Sequence, residues 1–326
     1  MNRTKTRVVT VAEVEQITPQ VKRFTLRCAE GGRLPAWSGG SHIGVTLMDG
    51  HQTWRNSYSL VGRPGETEFY QIAVRREDPA RSKGGSVFLH EGVQRGDMLE
   101  ISAPHNYFPL ARHAKKHVLI AGGIGITPFM AQMAVLKSQG QSYELHYAFR
   151  SRLEGAFCDT LCAEHGLNTH FYISDQGHRL VPQLILAAQP LGTHLYVCGS
   201  HPLIAAVTQA AAHLGWPKTH IHWEKFAPPP IQNASPFTAS LPDLGMDIKV
   251  GMNETLLESL ESAGVQIASS CRVGLCGTCE MRVLVGEPEH RDRCLSDEER
   301  ADGKILACVS RSQSDYLILA LAEAAP

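Results

Sequence analysis

Six short runs in the first third of the chain alternate apolar and polar residues: RVVTVAEV, VKRFTLRC, HIGVTLM, SYSLVG, FYQIAVRR and DMLEISAP. Alternation with period two buries one face of a strand, and the intervening EGG, SGG, MDG and GRPG supply turns. Many short strands at regular spacing predict an antiparallel β-barrel over residues 1–110. From residue 111 the rhythm changes. Apolar runs at 117–122, 143–149, 169–174, 194–199 and 220–226 are separated by helical stretches at about 128–139, 156–165, 181–188 and 202–214. Strands alternating with helices predict a doubly wound parallel sheet over 111–228, its ligand at the carboxyl ends of the strands. The segment APPPIQNASP ends this pattern, and residues 229–236 are expected to be a linker. Residues 237–326 return to an α+β pattern: a strand pair around 237–250, a helix at about 254–263, then a cysteine-rich loop.

Composition narrows the function classes. A chain of 326 residues, 43% apolar and 19% charged, has material for two or three cores. A net charge of −1 gives no footprint of a nucleic-acid or membrane partner. The charge is uneven: residues 236–326 hold 15 Asp/Glu against 8 Lys/Arg, whereas residues 1–235 hold 17 against 23. The opening MNRTKTRVVTVAEV has no apolar run of a signal peptide, so a cytoplasmic location is expected. VLIAGGIGITPFMAQMAVL, with three glycines and a Thr-Pro step, reads as strand, turn and helix rather than a membrane span. Cys28, Cys158, Cys162 and Cys198 are expected to be reduced core thiols. The sixteen histidines show no metal-ligand spacing. The C-x-H…C-x-x-H pattern of a Rieske centre is absent, so oxygen activation is not expected within this chain.

SSCRVGLCGTCEMRV places Cys271, Cys276 and Cys279 in the spacing C-x4-C-x2-C, and Cys308 follows with 28 residues between it and the third. Structural zinc sites usually present two close cysteine pairs. One cluster of three with a distant fourth is the plant-type [2Fe–2S] spacing. Two ferric ions, two sulfides and four thiolates sum to a dianion, which needs backbone N–H donors. Gly274 and Gly277 let the chain curl to supply them, and Arg272 can add positive charge. Cys294 lies outside the spacing and reads as a non-ligand.

The remaining motifs are weaker singly. HVLIAGGIGITPFMAQM sets a glycine turn between strand and helix, where Thr127 can N-cap and Pro128 suits the first helical position. Such a turn can bring amides to a pyrophosphate; close strand–helix packing is the alternative. YVCGSHP ends the fourth strand of the sheet in the same way, and Cys198-Gly199 can let a nicotinamide approach. In the barrel, Tyr58 and Ser59 of RNSYSL can stack on and hydrogen-bond a flat heterocycle. Gly84, Gly85 and Ser86 of KGGSVFLH can present donors to a phosphate.

In domain order and motifs, the chain resembles the phthalate dioxygenase reductase family over essentially its whole length. That resemblance implies an FMN-binding barrel, an NAD-binding α/β domain and a C-terminal β-grasp ferredoxin carrying a [2Fe–2S] cluster. The family's R-x-Y-S motif falls on Asn56-Ser57-Tyr58-Ser59, with the arginine displaced to Arg55; Arg55, Arg75 or Lys83 is left to neutralise the flavin phosphate. Ala73, Val74, the Gly84-Gly85-Ser86 run and Phe226 match further FMN contacts. Gly123, Gly125, Thr127, Arg150, Ser151, Asp175, Cys198 and Gly199 match the NAD edge. Arg150 and Arg152 keep NADPH open as an alternative to NADH. The resemblance implies a reductase that passes electrons from NADH through FMN and the cluster to a separate Rieske-type terminal oxygenase, with the flavin as hydride acceptor and no catalytic side chain. It is similar to reductases of carnitine monooxygenase or vanillate demethylase. It implies a monomer that meets its oxygenase transiently. The alternatives are a ferredoxin-fused flavin reductase serving a di-iron monooxygenase or soluble carrier, a non-enzymatic redox-sensing module, and a zinc-stapled interaction protein.

Overall fold

The computed structural model describes residues 6–50, 52–78, 80, 82, 84–226 and 235–321. Two compact units meet in sequence between Lys225 and Phe226. The first begins with β1 (Arg7–Thr18), β2 (Val21–Cys28), β3 (His42–Asp49), β4 (Gln52–Val61), β5 (Tyr70–Arg75), the short helix α1 (Gly85–Glu91) and β6 (Met98–Ile101). These strands form an antiparallel barrel in the order β1-β2-β5-β4-β3-β6, closed by pairing of β6 with β1. The alternation explains it: Ile43, Val45 and Leu47 point inward with Phe24, Leu26 and Ile72, while the residues between them are more exposed. Register shifts in β1 between Val11 and Glu13, and between Gln16 and Thr18, bend the strand as closure requires.

The chain then enters β7 (Lys116–Gly122), α2 (Thr127–Ser138), β8 (Tyr143–Phe149), α3 (Cys158–His165), β9 (Thr169–Ile173), α4 (Pro182–Leu186), β10 (Thr193–Cys198), α5 (His201–His213) and β11 (Ile221–Glu224). All five strands are parallel, in the order β11-β10-β7-β8-β9. Their apolar runs are continuous because both faces are covered. Leu119, Leu145 and Tyr147 pack with Phe129 of α2 and Leu161 of α3, whereas Val118, Ile120 and Val197 pack with Ile185 of α4 and Ile204 of α5. Barrel and sheet share a core, since Val21, Val61 and Ala73 join the first of these clusters. At that seam Gly40 has φ +91° and lies so close to the Phe108 carbonyl that a Cβ would collide with it.

The second unit holds β12 (Phe237–Leu241), β13 (Met246–Val250), α6 (Leu256–Ser262), β14 (Glu280–Val285), β15 (Pro288–Glu289), α7 (Asp297–Ala301), β16 (Lys304–Leu306), β17 (Arg311–Ser312) and β18 (Tyr316–Leu321). Its main sheet runs β13-β12-β18-β14-β16, and only the β12–β18 pairing is parallel. Helix α6 is fixed at its start by a capping box between Thr255 and Glu258, and buries Leu256, Leu257 and Leu260 against Ile305, Leu317 and Leu319. Of the expected linker, only Ser235 and Pro236 fall among the described residues.

Two expectations need correction. Thr127 is the first residue of α2 and not its cap; its hydroxyl donates back to the Ile124 carbonyl at 3.0 Å, because a 3₁₀ turn at Gly123–Ile126 leads directly into the helix. Cys162 is exposed and Cys28 and Cys158 are half-buried, so of the four scattered cysteines only Cys198 is a true core thiol.

Candidate cofactor sites

The loop between α6 and β14 carries three of the four cysteines. Three residues with positive φ set its course: Gly274 and Gly277 have φ of +75° and +74°, and Arg272, unusually for a residue with a side chain, has φ +56°. A Cβ on Gly274 would strike the Val309 side chain at 2.7 Å. Backbone amides converge on sulfur as a result. Val273 and Leu275 donate to Cys271 Sγ at 3.5 and 3.4 Å, and the Thr278 hydroxyl donates to Cys276 Sγ at 3.2 Å. The Gly274 amide faces Cys308. Arg272 is engaged elsewhere: it forms an ion pair with Glu261 and donates to Ser269 Oγ at 3.3 Å, so its charge is largely cancelled.

The four thiols form two pairs, Cys271 with Cys276 and Cys279 with Cys308. Within each pair the neighbouring thiol is the main cause of a shift that drives one down, Cys276 and Cys279, and the other up, Cys271 and Cys308. The four sulfurs do not converge on a point, for no three of them lie within 4.8 Å of one another. One tetrahedral zinc would hold all four sulfurs about 3.8 Å apart. Two thiols for each of two metal ions is what a [2Fe–2S] cluster requires, and the amide donors fit its sulfurs. Cys294 is exposed, lies against Gly277 and belongs to neither pair.

In the sheet, the order of strands reverses between β7 and β10, and doubly wound sheets place their ligand crevice at the carboxyl ends of the strands at such a reversal. Gly123, Gly125 and Thr127 follow β7; Cys198 ends β10 and Gly199 follows it; Arg150 and Ser151 follow β8; Asp175 follows β9 and its amide donates to the Arg150 carbonyl at 3.0 Å. The fold therefore gathers every candidate nucleotide residue on one edge. The glycines here are matters of backbone contact. A Cβ on Gly125 would collide with the Cys198 carbonyl, and one on Gly199 would lie 3.1 Å from Gly122 Cα. No side chain caps the first turn of α5, so its first amides remain available to an anion; at α2 the Thr127 amide already meets the Ile124 carbonyl. Arg150 and Asp175 are exposed.

Cys198 is fully buried, and desolvation, then the nearby Glu224, push its thiol far up, so it is not a nucleophile. Glu224 pairs with Cys198 in the β10–β11 register. It too is buried, with Oε2 lacking a hydrogen-bond partner and desolvation raising its pKa to about 8. Glu224 was not among the expected site residues. A carboxyl closing a strand beside Cys198 was the available signal.

On β4 the unbroken β3–β4 register separates two faces. Trp54, Asn56 and Tyr58 share one; Arg55, Ser57 and Ser59 share the other. The first face meets α1. Trp54 stacks on Phe88 with ring centres 5.2 Å apart, and a Cβ on Gly84, whose φ is +102°, would lie 2.6 Å from the indole nitrogen. A Cβ on Gly85 would collide with the Asn56 amide, which donates to the Tyr58 hydroxyl at 3.1 Å. Desolvation raises the Tyr58 pKa to about 12, so its hydroxyl stays protonated. Thus RNSYS and GGS come together although 24 residues intervene. Ser86 Oγ accepts from the Glu77 amide at 3.2 Å.

Other expected flavin residues are placed differently. Ala73 and Val74 are buried in the cores, so only their backbone can face a ligand, and the Val74 carbonyl already meets His90 Nε2 at 2.8 Å. Ser59 is buried. Arg55 lies on the face opposite Asn56, and Arg75 reaches Gln20 Oε1 at 3.3 Å. Lys83 lies outside the described residues. Phe226 is exposed and begins the second unit. Trp54 was missed by sequence reasoning; its two-residue offset from Asn56 and Tyr58 was the signal.

Comparison with known proteins joins these observations. Residues 243–313 match the 2Fe-2S iron-sulfur cluster binding domain, and residues 101–221 match the N-terminal domain of the dimethylamine monooxygenase subunit DmmA-like family. The carnitine monooxygenase reductase subunit of Acinetobacter baumannii is 42% identical over 95% of this chain and 96% of its own length. The heme-dependent oxidative N-demethylase beta subunit of Ectopseudomonas mendocina is 40% identical over 96% and 98%. The structure of phthalate dioxygenase reductase, described as modular for electron transfer from pyridine nucleotides to [2Fe–2S], superposes with a TM-score of 0.79 at 32% identity over 97% of this chain and 98% of that one. Matched end to end in sequence and fold, this chain belongs to the phthalate dioxygenase reductase family of oxidoreductases.

Proposed function

We propose that this chain is the reductase component of a two-component Rieske-type oxygenase system, in which electrons from NADH reach a separate terminal oxygenase through FMN and a [2Fe–2S] cluster. Four cysteines in C-x4-C-x2-C…C spacing, on a loop whose amides and Thr278 hydroxyl donate to sulfur, in a chain that also carries a doubly wound parallel sheet, are the observation behind this reading. When bound, the flavin accepts a hydride from NADH and the cluster carries electrons singly. The chain's own residues position these groups. Cys271, Cys276, Cys279 and Cys308 would hold the irons. The α1 start, with Gly84, Gly85 and Ser86, would receive the flavin phosphate, and Lys83 or Arg75 its charge, since Arg55 lies on the opposite face of β4. The side chains of Asn56 and Tyr58, with the backbone at Ser57, Ser59, Ala73 and Val74, would hold the flavin ring. Gly123, Gly125, Thr127, Cys198 and Gly199 would seat the nicotinamide and pyrophosphate; Arg150, Ser151 and Asp175 would receive the adenosine half. Asp175 favours NADH, since its carboxylate accepts from a ribose hydroxyl and repels a phosphate.

Domain limits at 1–110, 111–228 and 237–326, with 229–236 between, are part of the proposal, as are a monomeric state and a cytoplasmic location. Nine unpaired cysteines favour a reducing compartment, and among the described residues no helix is long and apolar enough to cross a membrane. A second reading keeps the electron path but gives it a haem partner. It rests on the 40% identity to the heme-dependent N-demethylase beta subunit. NADH-driven turnover with a Rieske oxygenase and, separately, with a haem-dependent demethylase distinguishes the two. Turnover with the Rieske protein supports the first reading; turnover with the haem protein alone replaces it.

A further inference from the structure

On the α4–α5 side of the parallel sheet, away from the crevice, three donor side chains meet across two strands. His146 of β8 is in register with His170 of β9, and Glu144 lies two residues before His146 on the same face. One donor atom from each lies within 4.8 Å of the other two. His146 is buried, and its Nε2 has no hydrogen-bond partner although Glu144 Oε1 is 3.2 Å away. Its Nδ1 is 2.9 Å from the Tyr172 hydroxyl. With the proton on Nδ1 and donated to Tyr172, the Nε2 lone pair confronts a carboxylate oxygen, and a cation between them resolves the repulsion. His170 stacks on His146 with ring centres 4.9 Å apart and is exposed on edge strand β9, which gives a metal a path in.

We propose that Glu144, His146 and His170 form a binding site for a divalent cation of the zinc type. Two imidazole nitrogens and one carboxylate oxygen suit zinc, nickel or copper and not calcium or magnesium. Bonds of about 2.0–2.2 Å require donors roughly 3.3 Å apart, so the exposed His170 ring must swing inward while the other two stay near their present positions. The partners of the ligands are already in place, as metal sites need. Gln189 Nε2 donates to Glu144 Oε1 at 2.6 Å, Lys116 Nζ pairs with Glu144 Oε2 at 2.7 Å, and Tyr172 orients His146. Because His170 is exposed, water would supply a fourth ligand. Occupancy would clamp β9 to β8 just before Arg150 and Asp175. The rival is a metal-free ion-pair network of Lys116, Glu144 and His146.

Equilibrium dialysis of the untagged holoprotein against zinc chloride, with metal measured by mass spectrometry, tests this. Wild type is expected to take up one zinc that His170→Ala and Glu144→Gln each weaken at least about tenfold. His170 is exposed, so its variant should fold. The double variant Cys162→Ser/Cys294→Ser, which removes the two exposed thiols, should keep the site. No uptake, uptake unchanged in His170→Ala, or uptake lost only with the cysteines would overturn the proposal in favour of the metal-free network.

Discussion

Glu224 is a carboxyl in a setting that does not suit its charge. A carboxyl buried beside Cys198 with a pKa near 8 holds its proton in the folded chain at pH values where the unfolded chain has lost it. Its folded pKa is raised, so its contribution to stability is complete below the unfolded value and declines as pH rises toward 8. Between pH 6 and 8.5 the wild type should lose about 2–3 kcal/mol that Glu224→Gln does not lose. Thermal midpoints of both proteins across that range check it; parallel pH profiles would show that Glu224 is not buried as described. Gly125 makes a second prediction. A methyl there must displace the Cys198 backbone, which cannot yield as a side-chain tip can, so Gly125→Ala should cost about 1–3 kcal/mol and raise the KM for NADH. A variant with native stability and KM would refute the close approach. Cys276→Ala should abolish NADH-dependent cytochrome c reduction while leaving ferricyanide reduction largely intact, as stopped-flow traces with each acceptor would record.

At the scale of elements, α1 and β4 are held in contact by glycines. Gly84 combines φ +102° with the Trp54 indole at its α-carbon, so a side chain there is both strained and obstructed. Gly84→Ala should push α1 off β4 and release the flavin, seen as rising free-flavin fluorescence on dilution; unchanged retention would place the flavin elsewhere. Most elements were legible beforehand because period-two alternation in β1–β6 and uninterrupted apolar runs in β7–β11 leave few alternatives. The cysteine spacing named the cluster for a similar reason: sequence-local chemistry survives in sequence. What depends on contact between distant segments was not legible. Thr127 looked like a cap until a 3₁₀ turn made it helical, and Arg272 looked like a free positive charge until Glu261 of α6 answered it. The split of Arg55 from Asn56 follows from alternation alone, yet a motif-based reading merged them. Glu144, His146 and His170 have no telling spacing, since their meeting depends on the pairing of β8 with β9.

For the whole molecule, the charge asymmetry has a kinetic consequence. Residues 236–326 carry a formal charge of −7, from 8 Lys/Arg and 15 Asp/Glu, against +6 for the rest. A surface of one sign steers a transient encounter, and salt screens it over about 10 Å at 0.1 M. Electron delivery to the oxygenase should therefore slow with added salt while ferricyanide reduction changes less, measured as second-order rates over an ionic-strength series. Equal salt dependence would remove steering from the account. All of this rests on the two thiol pairs holding two irons in the path of electrons. Iron and acid-labile sulfide analysis of the purified protein, joined to low-temperature EPR after anaerobic NADH addition, tests that most directly. About two irons and two sulfides per chain, with a signal from a reduced cluster appearing on NADH, are predicted. Zinc in place of iron, or a silent EPR spectrum after full reduction of the flavin, would contradict it.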